Sequence, residues 1–255
     1  MKNAIGSLWR LALLVLLCFV PSGLAQQVSL QLTDPPSNNI LEYIYVGAYS
    51  ATNTQTGAGL QVICDDFKDN SNYQAYTYTV NNFSDLGNTL WGQFLTSHNE
   101  ASQITQLYEE AAWLALQMLG QSGTQQGYYS YAIWAIFAPT EVASWLTTYS
   151  TDGGTACNTI FGAGSWSNNT CSSGNGGIVG QAKGRLSSFY SGEFSNILIL
   201  TPNSCTSPGT CKEQEFFEVV AEGGTAAMYV ALALFSCFVA ILFRSRRQNA
   251  GPRTL

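Results

Sequence analysis

Charge and histidine are both scarce in this chain. Asp, Glu, Lys and Arg together make 10% of its 255 residues, and histidine occurs once. A single histidine excludes a multi-histidine zinc centre, and any nucleophile–histidine pair would have to use His98. His98 stands in the polar stretch Thr96-Ser97-His98-Asn99, the setting of an exposed loop residue. No G-x-S-x-G, P-loop, G-x-G-x-x-G or C-x-x-C occurs, which removes the common signatures of hydrolases, nucleotide binders and dithiol redox proteins. Positive charge is the scarcer sign: 10 Lys+Arg against 16 Asp+Glu give a net charge of −6. Nucleic acid is therefore excluded as a partner, because binding it needs a basic surface. What the chain has instead is 46% hydrophobic and 13% aromatic residues, too apolar for an acidic disordered polymer.

The two ends read as addresses. In residues 1–25, Lys2 and Arg10 precede an apolar run over 11–20, Pro21 ends it, and Gly23-Leu24-Ala25 supplies small residues at a cleavage site. This is the pattern of a secretory signal peptide, and the run is too short for a comfortable membrane span. Residues 226–243 carry no charge and reach about 27 Å as a helix, close to the thickness of a hydrocarbon core. Arg244, Arg246 and Arg247 follow at once, which predicts a transmembrane helix with residues 244–255 in the cytoplasm and the preceding chain outside. Glu222, Gly223 and Gly224 form a flexible hinge before it. The exported segment, residues 26–222, keeps four cations against all 16 acidic residues, a net charge of −12.

Five cysteines remain in that segment, where an oxidising compartment favours disulfides. Cys157 with Cys171 and Cys205 with Cys211 are the cheapest closures, each inside one loop-rich stretch. Spacing alone does not fix the connectivity. Cys64 is then left over.

The periodicity predicts one α+β domain over 26–222 with strands at both ends and helices between. Strands are expected at 28–32, 43–49, 60–67, 73–80, 196–200 and 216–220. Helices are expected at 107–119, 128–137, 140–149, with Thr140 as N-cap, and more weakly at 178–190. Residues 150–177, rich in Gly, Ser, Thr and Asn, read as a long loop stapled by the first cysteine pair.

Several stretches carry a resemblance. They are Tyr45-Val46-Gly47-Ala48-Tyr49, Val62-Ile63-Cys64-Asp65-Asp66-Phe67, Leu107-Tyr108-Glu109-Glu110-Ala111-Ala112-Trp113-Leu114, Tyr131-Ala132-Ile133-Trp134 and Glu215-Phe216-Phe217. With the hinge, span and Arg-Ser-Arg-Arg end, the chain resembles the PEP-CTERM class of exported bacterial proteins, in the form common in acidobacteria. The resemblance implies that residues 223–247 are a sorting segment processed by an exosortase-like membrane enzyme. Ala221-Glu222-Gly223 stands where that class has Pro-Glu-Pro, so only Glu222 matches. The domain is also similar to surface thioester domains, in which a cysteine thiol and a glutamine carboxamide form a covalent adhesive bond. Cys64 falls in the cysteine position, but Ser130 occupies the glutamine position of the helix motif ending in Trp134, and a hydroxyl cannot form that bond. Gln126 lies one helical turn before Ser130.

Other candidates are weaker. Asp65, Asp66 and Asp69 cluster after a strand but lack the spacing of a calcium loop, so no metal is assigned and no cofactor is implied. Glu109-Glu110 offers half of the carboxylate pair a glycoside hydrolase needs. Trp113, Trp134 and Trp145, on helices among apolar neighbours, read as core, whereas Trp91 and Trp166 read as exposed rings able to stack on sugars. The sequence thus predicts a non-enzymatic envelope or matrix protein, structural or adhesive, working with exopolysaccharide. A Cys64 thioester adhesin and a polysaccharide hydrolase are the alternatives.

Overall fold

The structure, a computed structural model, describes residues 26–34, 39–69, 73–152, 154–185, 188–189 and 192–220. The expected signal peptide, the expected hinge at Glu222, Gly223 and Gly224, the expected span at 226–243 and the cluster Arg244, Arg246 and Arg247 lie outside the described residues. No helix among the described residues is long and apolar enough to cross a membrane.

Six antiparallel strands close into a barrel in the order β1 (Gln27–Asp34), β4 (Ala48–Asn53), β5 (Gly59–Cys64), β10 (Phe216–Val219), β9 (Ile197–Pro202) and β6 (Ala75–Asn81). Between β1 and β4 lies a two-stranded hairpin, β2 (Ile40–Leu41) and β3 (Ile44–Tyr45). Between β6 and β9 runs the helical section: α1 (Leu90–Ser97), α2 (Ile104–Leu119), α3 (Thr124–Phe137), α4 (Pro139–Tyr149), α5 (Thr155–Phe161) and α6 (Gly177–Arg185). A small hairpin, β7 (Trp166–Ser167) and β8 (Thr170–Cys171), precedes α6. The predicted α+β class, strands at both ends and helices between, is what forms.

Register explains which strands the sequence reveals. Leu32 pairs with Ala51, Tyr49 with Val62, Cys64 with Phe216 and Phe216 with Leu200, so these side chains share one face. That face is the barrel interior, where the rings of Tyr49 and Tyr78 meet Phe216 at 6.3 and 6.0 Å. The interior is filled, with open space of only about 10 Å³ among Leu30, Val62, Tyr78 and Phe216. On β1 and β6 the alternate residues Gln31 and Thr77 are exposed, which gives the period of two legible in the sequence. On β5, β9 and β10 the outer face is covered as well, so Ile63, Ile199 and Phe217 are also buried and residues 62–64, 197–200 and 216–217 are apolar without alternation. Tyr108 of α2 packs edge-on against Phe217 there.

The helical section centres on α3, whose residues 130–136 are all buried, the mark of a helix surrounded by protein. Four expectations are corrected. The expected strand at 43–49 is broken: Glu42 and Tyr43 turn sharply, Ile44–Tyr45 pairs back in the β2–β3 hairpin, and the barrel strand begins only at Ala48. Thr140 is not an N-cap, because Pro139 occupies the first helical position and Ala138 precedes it without a side-chain cap. The expected loop at 150–177 contains α5 and the β7–β8 hairpin, turned by Asn168 and Asn169, both at positive φ. Finally, α1 arises where a polar loop is expected, opened by Thr89, whose hydroxyl accepts from the Gly92 N–H.

The disulfides Cys157–Cys171 and Cys205–Cys211 form, and Cys64 remains free and buried. The first ties α5 to β8. The second closes the loop between β9 and β10.

Candidate functional site

A groove of about 790 Å³ opens where the β2–β3 hairpin, the loop after β5 and α4 converge. Its walls are aromatic: Tyr43, Tyr45, Tyr49, Phe67, Trp134 and Trp145, with Tyr73 at the rim. Three of these rings stand out to solvent, Tyr43 at 71% exposure, Tyr73 at 50% and Tyr45 at 46%. Phe67 forms the floor, its ring 5.4 Å from Trp134 and 6.0 Å from Trp145. Trp145, expected in the core, is therefore a partly exposed wall. Trp91, expected outside, is only 2% exposed and stacks on Phe137 at 5.2 Å. The reversal follows from α1: once residues 90–97 are helical, Trp91 falls on the covered face. Trp166 is half-buried, and its ring lies where a Cβ on Gly154 would come within 2.0 Å.

The polar lining is internally compensated. Lys68 Nζ meets Glu141 Oε1 at 2.7 Å, and this pairing holds the Glu141 carboxyl below its ordinary range despite partial burial. Lys68 also lies 5.7 Å from the Trp91 ring. Asp69 accepts at both oxygens, from Gly209 N–H and Cys211 N–H, each at 2.8 Å, and so pins the Cys205–Cys211 loop against the groove.

Behind the groove lies an unusual set of buried acids. Glu215 is fully buried and accepts from Leu90 N–H at 2.6 Å, Thr201 Oγ at 2.5 Å and Tyr108 OH at 2.5 Å. It thereby joins α1, α2 and β9 at the lip of β10. Burial raises its pKa, and those donors oppose the rise. Asp65 is also fully buried, and neither of its carboxyl oxygens has a hydrogen-bond partner. Burial first, then the Glu215 and Asp66 charges, push Asp65 well above the carboxylate range. Asp66 is similar: one oxygen is buried with no hydrogen-bond partner, and burial, then the neighbouring Asp69 carboxyl, raise its pKa to about 8. Its other oxygen caps Lys68 N–H at 2.9 Å. Among the described residues, no group of three acidic, histidine or cysteine side chains is arranged to hold a metal ion.

The thioester-like positions are brought near each other through one contact. Trp134, one helical turn beyond Ser130, donates its indole N–H to the Cys64 carbonyl at 3.0 Å. The Cys64 thiol donates to the Asp66 carbonyl at 3.1 Å, and burial, followed by the Asp66 and Asp65 charges, pushes its pKa well up. Ser130 Oγ accepts from Gly47 N–H at 2.8 Å. Gln126 is held elsewhere, accepting from Asn39 and donating to the Gln121 carbonyl.

Glu109 and Glu110 do not line the groove. Glu110 is buried and accepts from Gln106, with its pKa raised by burial. His98 stacks on Phe94 at the exposed end of α1. The sequence reading names several of these residues but not the groove they form, although three tyrosines within residues 43–49 were a signal. Comparison with family models, with curated proteins and with solved structures finds no match to this chain.

Proposed function

We propose that this chain is an exported envelope or matrix protein whose 26–222 domain binds a neutral exopolysaccharide in the aromatic groove. The groove carries the proposal. Sugar rings present flat C–H faces edged by hydroxyls, and solvent-exposed tyrosine and tryptophan rings offer an apolar face beside a polar edge. Seven aromatic residues line the groove, and the three largely exposed tyrosines among them make a surface that water alone does not favour. The net charge of −12 over residues 26–222 disfavours an anionic polymer. The groove adds no unpaired cation to attract one, because Lys68 is matched by Glu141.

The same arrangement favours binding over hydrolysis. Glycoside cleavage needs two carboxyl groups free to face one bond. The carboxylates lining this groove are engaged, Asp69 by two backbone N–H groups and Glu141 by Lys68. The tail completes the proposal: Glu222, Gly223 and Gly224, the apolar run and Arg244, Arg246 and Arg247 are read by an exosortase-like enzyme, or hold the domain at the membrane.

Two measurements test it. Calorimetric titration with soluble β-glucan, galactomannan and chitooligosaccharides should show binding that Trp145→Ala weakens about tenfold or more. No binding to any of the three refutes the groove reading. Intact mass of the native protein should end shortly after Glu222 if the tail is processed. A mass running from Gln26 to Leu255 would replace sorting with permanent anchoring.

A further inference from the structure

From the hairpin that forms one side of the groove, we infer that β2–β3 is a preformed clamp whose Tyr43 ring stacks on the bound sugar. The inference rests on the glycan reading of the groove. Ile40 pairs with Tyr45 and Leu41 with Ile44, which leaves Glu42 and Tyr43 as a two-residue loop. Their φ values are 46° and 68°. A loop of this kind needs positive φ at both positions and favours Asn-Gly for that reason. Glutamate and tyrosine are poor residues for it, since their Cβ atoms crowd the backbone in the left-handed region.

The surrounding protein imposes this conformation. Glu42 is buried, and its carboxylate accepts from Thr151 N–H at 2.8 Å and from Thr151 Oγ at 3.1 Å. Trp145 donates its indole N–H to the Glu42 carbonyl at 3.0 Å, and Tyr131 donates its hydroxyl to the Leu41 carbonyl at 3.0 Å. A second local sacrifice serves the same placement. Gly127 lies inside α3, where glycine weakens a helix, and a Cβ there would meet Leu41 and Val46 side chains at 3.0 Å. The helix gives up its side chain so that the hairpin can lie against it.

The outcome of these two unfavourable choices is one exposed ring. Tyr43 projects at the groove rim, flanked edge-on by Tyr149 at 6.0 Å, which itself packs on Trp145 at 4.1 Å. Backbone strain retained by over-determined surroundings is characteristic of ligand clamps, because a rigid ring binds without paying for its own ordering. The wall, Trp145, and the clamp, Tyr43, are one unit, since the indole that lines the groove also holds the turn.

The test uses the mature protein and three variants, titrated with the same soluble β-glucan, galactomannan and chitooligosaccharides. Tyr43→Gly should raise the melting temperature, because glycine accepts φ of 68° without strain, while weakening binding about tenfold. Tyr43→Phe keeps the ring and should bind within about threefold of wild type, a single exposed hydroxyl being worth little. Trp145→Ala supplies the comparison. Binding that Trp145→Ala weakens and Tyr43→Gly leaves unchanged would overturn the clamp and spare the groove. Weakened binding with a lowered melting temperature in Tyr43→Gly would overturn the strain argument. Absence of binding by the wild type would overturn the glycan reading and the clamp with it.

Discussion

The buried acids make stability depend on pH in a direction opposite to the common one. Asp66 has a folded pKa of about 8 against an ordinary value of 3.8. A group whose folded pKa is raised holds its proton more tightly in the native state. Its stabilisation is complete below the unfolded value and is lost as pH rises through the folded value. The window therefore runs from about pH 4 to about pH 8, at up to 1.4 kcal/mol per pH unit for one proton. Integrated over that window, Asp66 alone accounts for about 5 kcal/mol, a large share of a typical domain's total. Every group facing it acts in this sense or is neutralised. Asp65 and Glu215 are themselves raised by burial, Asp69 is engaged by two backbone N–H groups, and the Lys68 ammonium is paired with Glu141. Glu141 opposes the trend, but it is exposed at the surface, so its effect is small. Urea unfolding followed by tryptophan fluorescence at pH 4.5, 6, 7 and 8, values that sample about the whole window, should give a free energy that falls monotonically. Asp66→Asn removes the titrating proton. It keeps the acceptor for Lys68 N–H and supplies an amide donor to Asp69. That variant should match wild type near pH 4.5 and exceed it by several kcal/mol, up to about 5, at pH 8. A wild-type stability that is flat or rises between about pH 5 and 8, or an Asp66→Asn variant no more stable than wild type at pH 8, would refute the reasoning.

Glu215→Ala should be among the most damaging single changes in the domain. It strands the Leu90 N–H and the Thr201 and Tyr108 hydroxyls in a dry site at about 1–3 kcal/mol each, a loss readable as a lower urea midpoint. Glu215→Gln keeps two acceptor lone pairs and should recover part of it. The Cys64 thiol, buried and bonded to the Asp66 carbonyl, should resist iodoacetamide in the native protein and react fully once unfolded. Methylamine should leave the intact mass unchanged, whereas a gain of one amine would reveal a thioester after all.

The legibility of the fold followed burial. β1 and β6 have one wet face and one dry face, so their alternation announced both strand and orientation. The helix α2 was legible for the same reason, from its apolar stripe of helical period, and α3 as an apolar run ended by Pro139. The hairpin at Glu42-Tyr43 was invisible because its conformation goes against local preference and is enforced by Thr151, Trp145 and Tyr131 from far along the chain. Likewise α1 was hidden by Gly92, a helix-weakening residue, which is required because a Cβ there would strike the Leu86 carbonyl at 1.8 Å. The acid cluster after β5 was legible as a cluster. Its partner Glu215 was not, since 150 residues separate it from Asp65.

By itself the sequence determined the α+β class, the acidic and aromatic character of the 26–222 segment, and the pattern of a leader and a basic-capped apolar tail. These properties rest on composition and on local periodicity, which each residue carries with it. Only the tertiary structure decided which rings face water and which carboxyls lie together in a dry site. Each of those depends on closing a barrel between strands distant in sequence and laying a helical section over one side of it. That closure brings Trp145 and Tyr43 together at one groove and Asp65 and Glu215 together in one dry site. Side-chain exposure and ionisation follow from those neighbours, and no local window of the chain contains them.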